Sequence, residues 1–178
     1  MSFARNLPLV NLAVLLGLLG LAGCGFHPLY GSVAGQPPDV TTRMDQIDIG
    51  HLSNRDGQLM RQALESSLQR AGAPTFYRYH LAVSYGISVQ GIGLQPDSSS
   101  TRNRYMADAR WTLTPEGNRG VTLASGNAHA ADAENVIDNQ NFMGTLDNGI
   151  MRHRLAKAIA DQIATQIAIY FHNHPDRG

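Results

Sequence analysis

The chain has 178 residues, with 14 basic and 14 acidic side chains, so its formal net charge at pH 7 is zero. This balance gives no bulk electrostatic attraction to nucleic acid. The length is that of one domain that is large enough to bury a real core, and the sequence contains no internal repeat.

The first 23 residues have the pattern of a secretory signal peptide. One positive charge, Arg5, precedes an apolar run rich in Leu, Val and Ala at residues 12–22, and small residues close the run. The run is about half the length that an apolar helix needs to cross a bilayer of roughly 30 Å. We therefore predict that residues 1–23 are a leader that is removed, not a transmembrane anchor.

The sequence Leu-Ala-Gly-Cys at residues 21–24 resembles the lipobox of bacterial lipoproteins. The resemblance implies that the Cys24 thiol is alkylated by a diacylglyceryl group, that the leader is cut before Cys24, and that the new amine is acylated. Three acyl chains hold a protein at a membrane almost permanently, since each buried CH₂ contributes about 0.8 kcal/mol. The alternatives are a signal peptide with an incidental cysteine, or a buried free cysteine.

The predicted mature chain begins at Cys24 and has 155 residues, because 23 of the 178 are removed. Because the resemblance implies that its only cysteine is lipidated, we expect no disulfide and a fold that depends on packing. Gly25 rather than Asp follows the cysteine, which by resemblance to enterobacterial sorting rules favours the outer membrane. Residues 24–39 are rich in Pro and Gly without periodicity, and we interpret them as a flexible tether.

Residues 40–171 are predicted to form a single domain that begins with a strand and a helix, and a polar tail follows at residues 172–178. The strand is predicted at residues 43–52 and the helix at residues 55–70. The apolar stripe of this helix comprises Met60, Leu64, Ser67 and Leu68. Ser53 or Asn54 is available as its N-cap, and Gly72 and Pro74 end it.

Three strands follow, because apolar and polar residues alternate with the period of a half-buried sheet. They are predicted at residues 76–89, 102–114 and 121–130, with polar turns at residues 95–101 and 115–118. A change of phase at Gly91 predicts a bulge or the end of the first of these strands. Val121 and Leu123 are predicted to face inward in the last one. Strands joined by polar turns make an antiparallel meander.

The end of the domain is predicted to be irregular over residues 132–148 and helical over residues 147–171. The apolar stripe of the helix comprises Ile150, Leu155, Ile159, Ile163, Ile167 and Tyr170. The element order β-α-β-β-β-α predicts a two-layer α+β sandwich. In it, two helices pack on one face of a mostly antiparallel four-stranded sheet, and the other face is exposed to water.

The sequence contains no catalytic motif: there is no Gly-x-Ser-x-Gly elbow, no phosphate loop and no His-Glu-x-x-His. We therefore predict no enzymatic activity, no cofactor and no metal site. His172 and His174 could hold a metal at two points, but a third ligand is lacking and an exposed role is favoured. Asp132 and Glu134 could form a carboxylate pair, although the acidic composition of their segment is the simpler interpretation.

Arginine side chains give the clearest polar feature. Arg102 and Arg104 lie two residues apart on a predicted strand and therefore share a face. Arg110 has the same parity, and Arg78 lies on the polar side of the neighbouring strand. These residues indicate either a solvated sheet face or an anion site, since a guanidinium binds phosphate with two parallel hydrogen bonds.

Cys24 followed by Gly-Phe-His-Pro-Leu-Tyr-Gly at residues 25–31, with the element order and an Ile- and Ala-rich last helix, resembles alphaproteobacterial lipopolysaccharide-assembly lipoproteins. The resemblance implies a non-catalytic outer-membrane lipoprotein that assists assembly of, and plugs, the β-barrel that inserts lipopolysaccharide. It also implies binding of lipopolysaccharide during delivery to the outer leaflet. The implied partners are the barrel, lipopolysaccharide and, through the lipid anchor, the membrane, with no nucleic acid.

The resemblance further implies that the domain faces the periplasm or the barrel lumen and binds lipopolysaccharide through basic residues near one end of the sheet. The nearest match in this sequence is Arg102 with Arg104, beside the turn at residues 95–101. Arg119, near the other end of that strand, is a weaker match.

A second hypothesis belongs to a different class of protein. The chain could be a free-standing, periplasm-facing lipoprotein that acts as a binding module or an envelope enzyme. This hypothesis predicts a stable monomer with an apolar pocket, whereas the first predicts co-purification with one large outer-membrane barrel. The lack of a catalytic constellation argues against the enzyme version.

Overall fold

A computed structural model describes residues 40–70, 72–94, 100–135 and 141–175 of the chain. All the described residues belong to one compact unit. The predicted signal peptide, the lipidation of Cys24 and the tether at residues 24–39 lie outside the described residues. Residues 95–99 of the predicted turn at residues 95–101 also lie outside the described residues.

The described part of the chain forms three helices and one four-stranded sheet. In chain order the elements are α1 (Val40–Asp45), β1 (Ile47–Ile49), α2 (Asn54–Leu68), β2 (Tyr79–Leu94), β3 (Ser100–Pro115), β4 (Ala124–Asn135) and α3 (Asn141–Asn173). The sheet order is β1-β2-β3-β4; β2, β3 and β4 are antiparallel, and β1 is parallel to β2. The predicted α+β class is confirmed, but the sheet is mixed and the described residues contain three helices, not two.

The predicted first strand is wrong at both ends, because residues 40–45 form α1 and only Ile47–Ile49 pairs as a strand. Arg43 and Met44 of α1 are buried, so tertiary packing outweighs the local strand pattern. The chain passes from β1 to β2 through α2. Such a helical crossover returns the chain to its starting end, and β1 therefore pairs in parallel.

The hairpin formed by β2 and β3 is longer than predicted and contains no bulge in the described register. Gly91 pairs with Asn103, and the pairing continues to Ile92 with Arg102. The change of phase at Gly91 instead reflects exposure. Val89 and Ile92 point to opposite faces, yet they are 48% and 42% exposed, so this end of β2 is uncovered on both sides.

The predicted alternation is confirmed on the helix-facing side of the sheet. In β3 the buried apolar residues are Tyr105, Ala107, Ala109, Trp111 and Leu113. The α2 stripe of Met60, Leu64, Ser67 and Leu68 is also buried as predicted. In α3, Leu155, Ile159, Ile163 and Ile167 are buried, but Ile150 is 59% exposed and was wrongly assigned to the core. Met151 is buried in its place.

The last strand is shifted towards the C-terminus relative to the prediction. Val121 is 47% exposed in a turn, where its N–H donates to the carbonyl of Asn118 at 3.2 Å, so its predicted inward position is wrong. Leu123 is only half-buried. The segment predicted to be irregular contains the end of β4 and the beginning of α3. Pairing with β3 therefore extends β4 despite its five Ala residues and one Gly.

The start of α2 shows which of the two candidate residues caps it. Asn54 has a φ of 66°, in the left-handed region, and its Oδ1 accepts the N–H of Gly57 at 2.9 Å. Ser53 makes no side-chain hydrogen bond to the helix. Asparagine tolerates this backbone conformation better than most residues, and it satisfies one of the open N–H groups of the first turn.

Arg43 joins the two ends of the described domain. It is 3% exposed, and its Nη1 donates to the carbonyls of Phe171 (3.2 Å) and His174 (2.9 Å) at the C-terminus of α3. Its Nε donates to the hydroxyl of Tyr79 at 3.2 Å. The first residues of the predicted polar tail therefore belong to the packed end of α3. None of the described helices has the length and apolar character needed to cross a membrane.

Candidate functional site

The sheet face opposite the helices carries the even-numbered residues of β2 and β3. In the middle of β2 these are small (Ala82, Ser84, Gly86 and Ser88), while β3 contributes longer polar side chains such as Asp108 and Arg110. The difference in length makes a concavity of about 590 Å³, whose lining includes Gly86, Asp108 and Arg110. We call this surface the open face.

Arg102 and Arg104 lie on the open face at the hairpin end of the sheet, as their spacing predicted. Both are exposed. In the register, Arg104 lies between Gln90 and Ala133, and Arg102 lies between Ile92 and Asn135. The register partners of both arginines are therefore uncharged, and exposed Ile92 lies beside Arg102. We call Arg102, Arg104 and Ile92 the hairpin-end cluster.

The other predicted arginines lie away from the hairpin-end cluster. Arg110 shares the open face but is six residues from Arg104, or about 20 Å at roughly 3.3 Å per residue. Arg78 precedes β2, and its guanidinium carbon lies 5.6 Å from the ring centre of Phe76. Arg119 follows β3 at the opposite end of the sheet, where its Nη2 donates to Oε1 of Glu116 at 2.6 Å. The structure therefore does not bring Arg119 together with Arg102 and Arg104.

Two of the remaining candidates from the sequence, Asp132 and His174, have structural partners. Asp132 pairs with Arg154, with 2.8 Å between Oδ2 and Nη2. The ring N–H of His174 donates to the carbonyl of Tyr170 at 2.9 Å, and the two rings stack with centres 4.5 Å apart. His172 is exposed. These contacts give Asp132 and His174 a role in packing.

A second concavity, of about 640 Å³, lies at the end of the sheet opposite the hairpin-end cluster. Tyr77, Tyr79, Pro115 and Leu123 are among the residues that line it. Phe76 is exposed close by in the sequence, as is Tyr77 itself. This is an apolar pocket of the kind that the hypothesis of a free-standing binding module predicts.

Sequence reasoning missed a third group, Asp48, His80 and Glu116, which converge at the β1 edge of the open face. They come from β1, from β2 and from the residue after β3. Alternation alone places His80 on the polar face. Only the parallel pairing of β1 with β2, which was not predicted, puts Asp48 beside His80.

Tyr85 lies on the helix-facing side of β2 with its hydroxyl buried and without a hydrogen-bond partner in the described structure. Burial raises the pKa of Tyr85 to about 12, and the nearby Asp56 carboxylate also raises it, while Arg152 lowers it. Asp56 and Arg152 form an ion pair of 2.6 Å between Oδ2 and Nη1. The tyrosine is thus held in its neutral form beside this pair.

We expect Tyr85→Phe to raise the free energy of unfolding by about 1 kcal/mol at neutral pH, because an unsatisfied buried hydroxyl is removed. The wild-type protein should also lose stability as the pH rises from 10 towards about 12, since the unfolded chain ionises first. The variant lacks this contribution. Urea unfolding at pH 7 to 11 measures both effects, with Tyr77→Phe, at an exposed ring, as the control. An equal alkaline loss in wild type and Tyr85→Phe would contradict the assignment.

No sequence profile of a known protein family matches the chain, and no curated protein matches it. Solved structures do match. A candidate lipoprotein from Caulobacter crescentus superposes with a TM-score of 0.59 at 21% identity, covering 75% of this chain and 96% of the other. Rare lipoprotein B from Shewanella oneidensis gives 0.54 at 9% identity, with 72% and 96% covered. Lipoprotein B from Nitrosomonas europaea gives 0.55 at 12% identity, with 81% and 96% covered. The chain therefore has the α+β fold of these bacterial lipoproteins.

Proposed function

We propose that this protein is a non-catalytic, lipid-anchored lipoprotein of the outer membrane that faces the periplasm or a barrel lumen. In this proposal it assists assembly of the β-barrel that inserts lipopolysaccharide, plugs that barrel, and binds lipopolysaccharide during delivery to the outer leaflet. The observation that carries the proposal is the hairpin-end cluster, where Arg102 lies beside exposed Ile92 and Arg104 shares its face, in a fold shared with bacterial lipoproteins.

The chemistry of the hairpin-end cluster suits a phosphorylated glycolipid. Such a ligand carries phosphates and acyl chains, and it needs cationic donors next to apolar surface. Arginine forks bind phosphate with charge-assisted hydrogen bonds, which strengthen where water is excluded. Ile92 adds exposed apolar surface on the face of the arginines, and Val89 adds it on the opposite face of the same hairpin end. The predicted lipid on Cys24 would keep the domain at the membrane where the ligand and the barrel are found.

The double variant Arg102→Ala/Arg104→Ala should weaken lipopolysaccharide binding at least about tenfold, because hydrogen bonds to charged groups contribute about 1.5–3 kcal/mol each. Binding is measured by titrating the purified protein with lipopolysaccharide in detergent. Arg119→Ala is the matched control, since Arg119 lies at the opposite end of the sheet. Unchanged binding in the double variant, or a loss only in Arg119→Ala, would reject the hairpin-end cluster as the site.

The barrel partnership is tested by purifying a tagged full-length chain from membranes and identifying the proteins that accompany it by mass. The expected result is one large outer-membrane β-barrel in stoichiometric amount. A chimera that carries residues 1–39 on an unrelated soluble domain controls for recovery caused by the lipid anchor alone. Recovery of no barrel, or equal recovery by the chimera, would contradict the proposal.

The apolar pocket beside Tyr77 and Tyr79 favours the second candidate, a free-standing lipoprotein that acts as a binding module. That function predicts a monomer without a barrel in the same purification. It also predicts that Leu123→Arg, which places a charge at the pocket, abolishes ligand binding while leaving the hairpin-end cluster unchanged.

A further inference from the structure

Asp48, His80 and Glu116 place three potential metal ligands close together. Nδ1 of His80 lies 2.9 Å from Oδ2 of Asp48 and 3.9 Å from Oε2 of Glu116. The three ligand atoms all lie within 4.8 Å of one another. A tetrahedral ion bound at about 2.0–2.1 Å separates its ligand atoms by about 3.4 Å. Small side-chain rotations would therefore bring all three atoms to one ion.

The backbone holds these ligands on the sheet itself. Asp48 and His80 are register partners in β1 and β2. The N–H of Glu116 donates to the carbonyl of Arg78 at 2.9 Å, which fixes the residue after β3 against the start of β2. Gly50 lies against the imidazole, since a Cβ there would be 3.3 Å from Cε1 and Nε2 of His80. Sites built on strands hold their geometry better than sites on loops.

The side chain of Glu116 gives an independent indication that Asp48, His80 and Glu116 bind a cation. Its side chain is 36% exposed, but its two oxygens have different surroundings. Oε1 accepts a hydrogen bond from Arg119, whereas Oε2 is buried and has no hydrogen-bond partner. A buried carboxylate oxygen without a hydrogen-bond partner is costly, because its desolvation is poorly offset. A bound cation would satisfy this oxygen.

We propose that Asp48, His80 and Glu116 form a binding site for a divalent metal ion of the zinc class. One imidazole nitrogen and two carboxylate oxygens suit Zn²⁺, and sites with three protein ligands keep a position for water or another ligand. Arg119 orients Glu116 from outside, as hydrogen-bonded neighbours of metal ligands do. The ion joins β1, which has three residues, to β2 and to the turn after β3.

The test is titration of the full chain, purified in detergent, with Zn²⁺ in competition with a chromophoric chelator. We expect one equivalent to bind, and Glu116→Gln and His80→Gln to weaken it at least about tenfold. His129→Gln is the matched control. Nδ1 of His129 lies 2.6 Å from Oδ1 of Asp108 on the same face, but that pair has no third ligand among the described residues.

Zinc should also raise the Tm of the wild type and of His129→Gln, but not that of Glu116→Gln. Circular dichroism checks the folding of each variant, and Glu116→Gln keeps the Asp48–His80 contact if His80→Gln fails to fold. No zinc binding, or binding that both ligand variants leave unchanged, would overturn the proposal; the second result would place the ion elsewhere, such as at His172. Equal affinity for Ca²⁺ would overturn the assignment to the zinc class.

Discussion

Replacing Arg43 by alanine should lower the free energy of unfolding by about 3 kcal/mol. The side chain is almost fully buried and donates to the carbonyls of Phe171 and His174 at the end of α3. Each hydrogen bond from a charged donor contributes about 1.5–3 kcal/mol, and a cation at a helix C-terminus adds up to about 2 kcal/mol in a partly buried site. These contributions overlap, so their sum is an upper limit.

Urea unfolding of three variants measures this effect. Arg43→Lys keeps the charge but not the planar fork, so its loss should be intermediate. Arg55→Ala removes an exposed arginine and should change stability by less than about 0.5 kcal/mol. A loss below about 1 kcal/mol in Arg43→Ala would show that the contact does not hold the two ends of the domain together.

The second large effect is expected at Gly126, where a methyl group should cost about 2 kcal/mol. A Cβ at this position of β4 would lie 2.6 Å from Oε1 of Gln166 and 2.9 Å from Nε1 of Trp111. Gln166 accepts the Trp111 indole N–H at 2.9 Å and donates to the carbonyl of Asn127 at 3.0 Å. Gln166 can swing away only by losing both hydrogen bonds, and the buried indole cannot move without disturbing the core.

Gly86→Ala is the matched control for Gly126→Ala. Gly86 lies on a strand of the same sheet, but nothing lies within 4 Å of a Cβ there. We expect its stability to be unchanged or slightly higher, because alanine reduces the conformational entropy of the unfolded chain. Trp111 is the only tryptophan, so its fluorescence reports the unfolding and the local contact in both variants. Equal losses in the two variants would show that the close approach at Gly126 is not the cause.

Much of the fold could be predicted because it depends on short periods along the chain. The alternation in β3 identified its buried side chains, and the spacing of Met60, Leu64 and Leu68 identified the buried stripe of α2. The first strand was wrong because burial of Arg43 depends on the carbonyl of His174, 131 residues away. The phase change at Gly91 was misread because it arises from an uncovered end of the sheet, and not from an inserted residue.

The candidate sites, like the fold, could be predicted where they depend on local pattern and not where they depend on long-range pairing. Parity alone placed Arg102 and Arg104 on one face, and the register confirms it. The sequence also placed Arg119 near the other end of that strand, and the structure adds its ion pair with Glu116. The approach of Asp48 to His80 was not predictable from local pattern, because it requires a parallel pairing across a helical crossover.

The contact between Arg43 and His174 also makes the two ends of the sheet different. It places α1 beside the end of α3, so both the first and the last described residues lie near Tyr79, at the start of β2. From there β2 runs fifteen residues to Leu94, or about 50 Å at roughly 3.3 Å per residue. That span exceeds the roughly 30 Å of a bilayer's hydrocarbon core.

Arg102 and Arg104 therefore lie at the far end of the β2–β3 hairpin from α1, where the described chain begins. The length of the hairpin sets the distance between the start of β2 and these arginines. Any partner that contacts both the start of α1 and the arginines must extend along the length of β2.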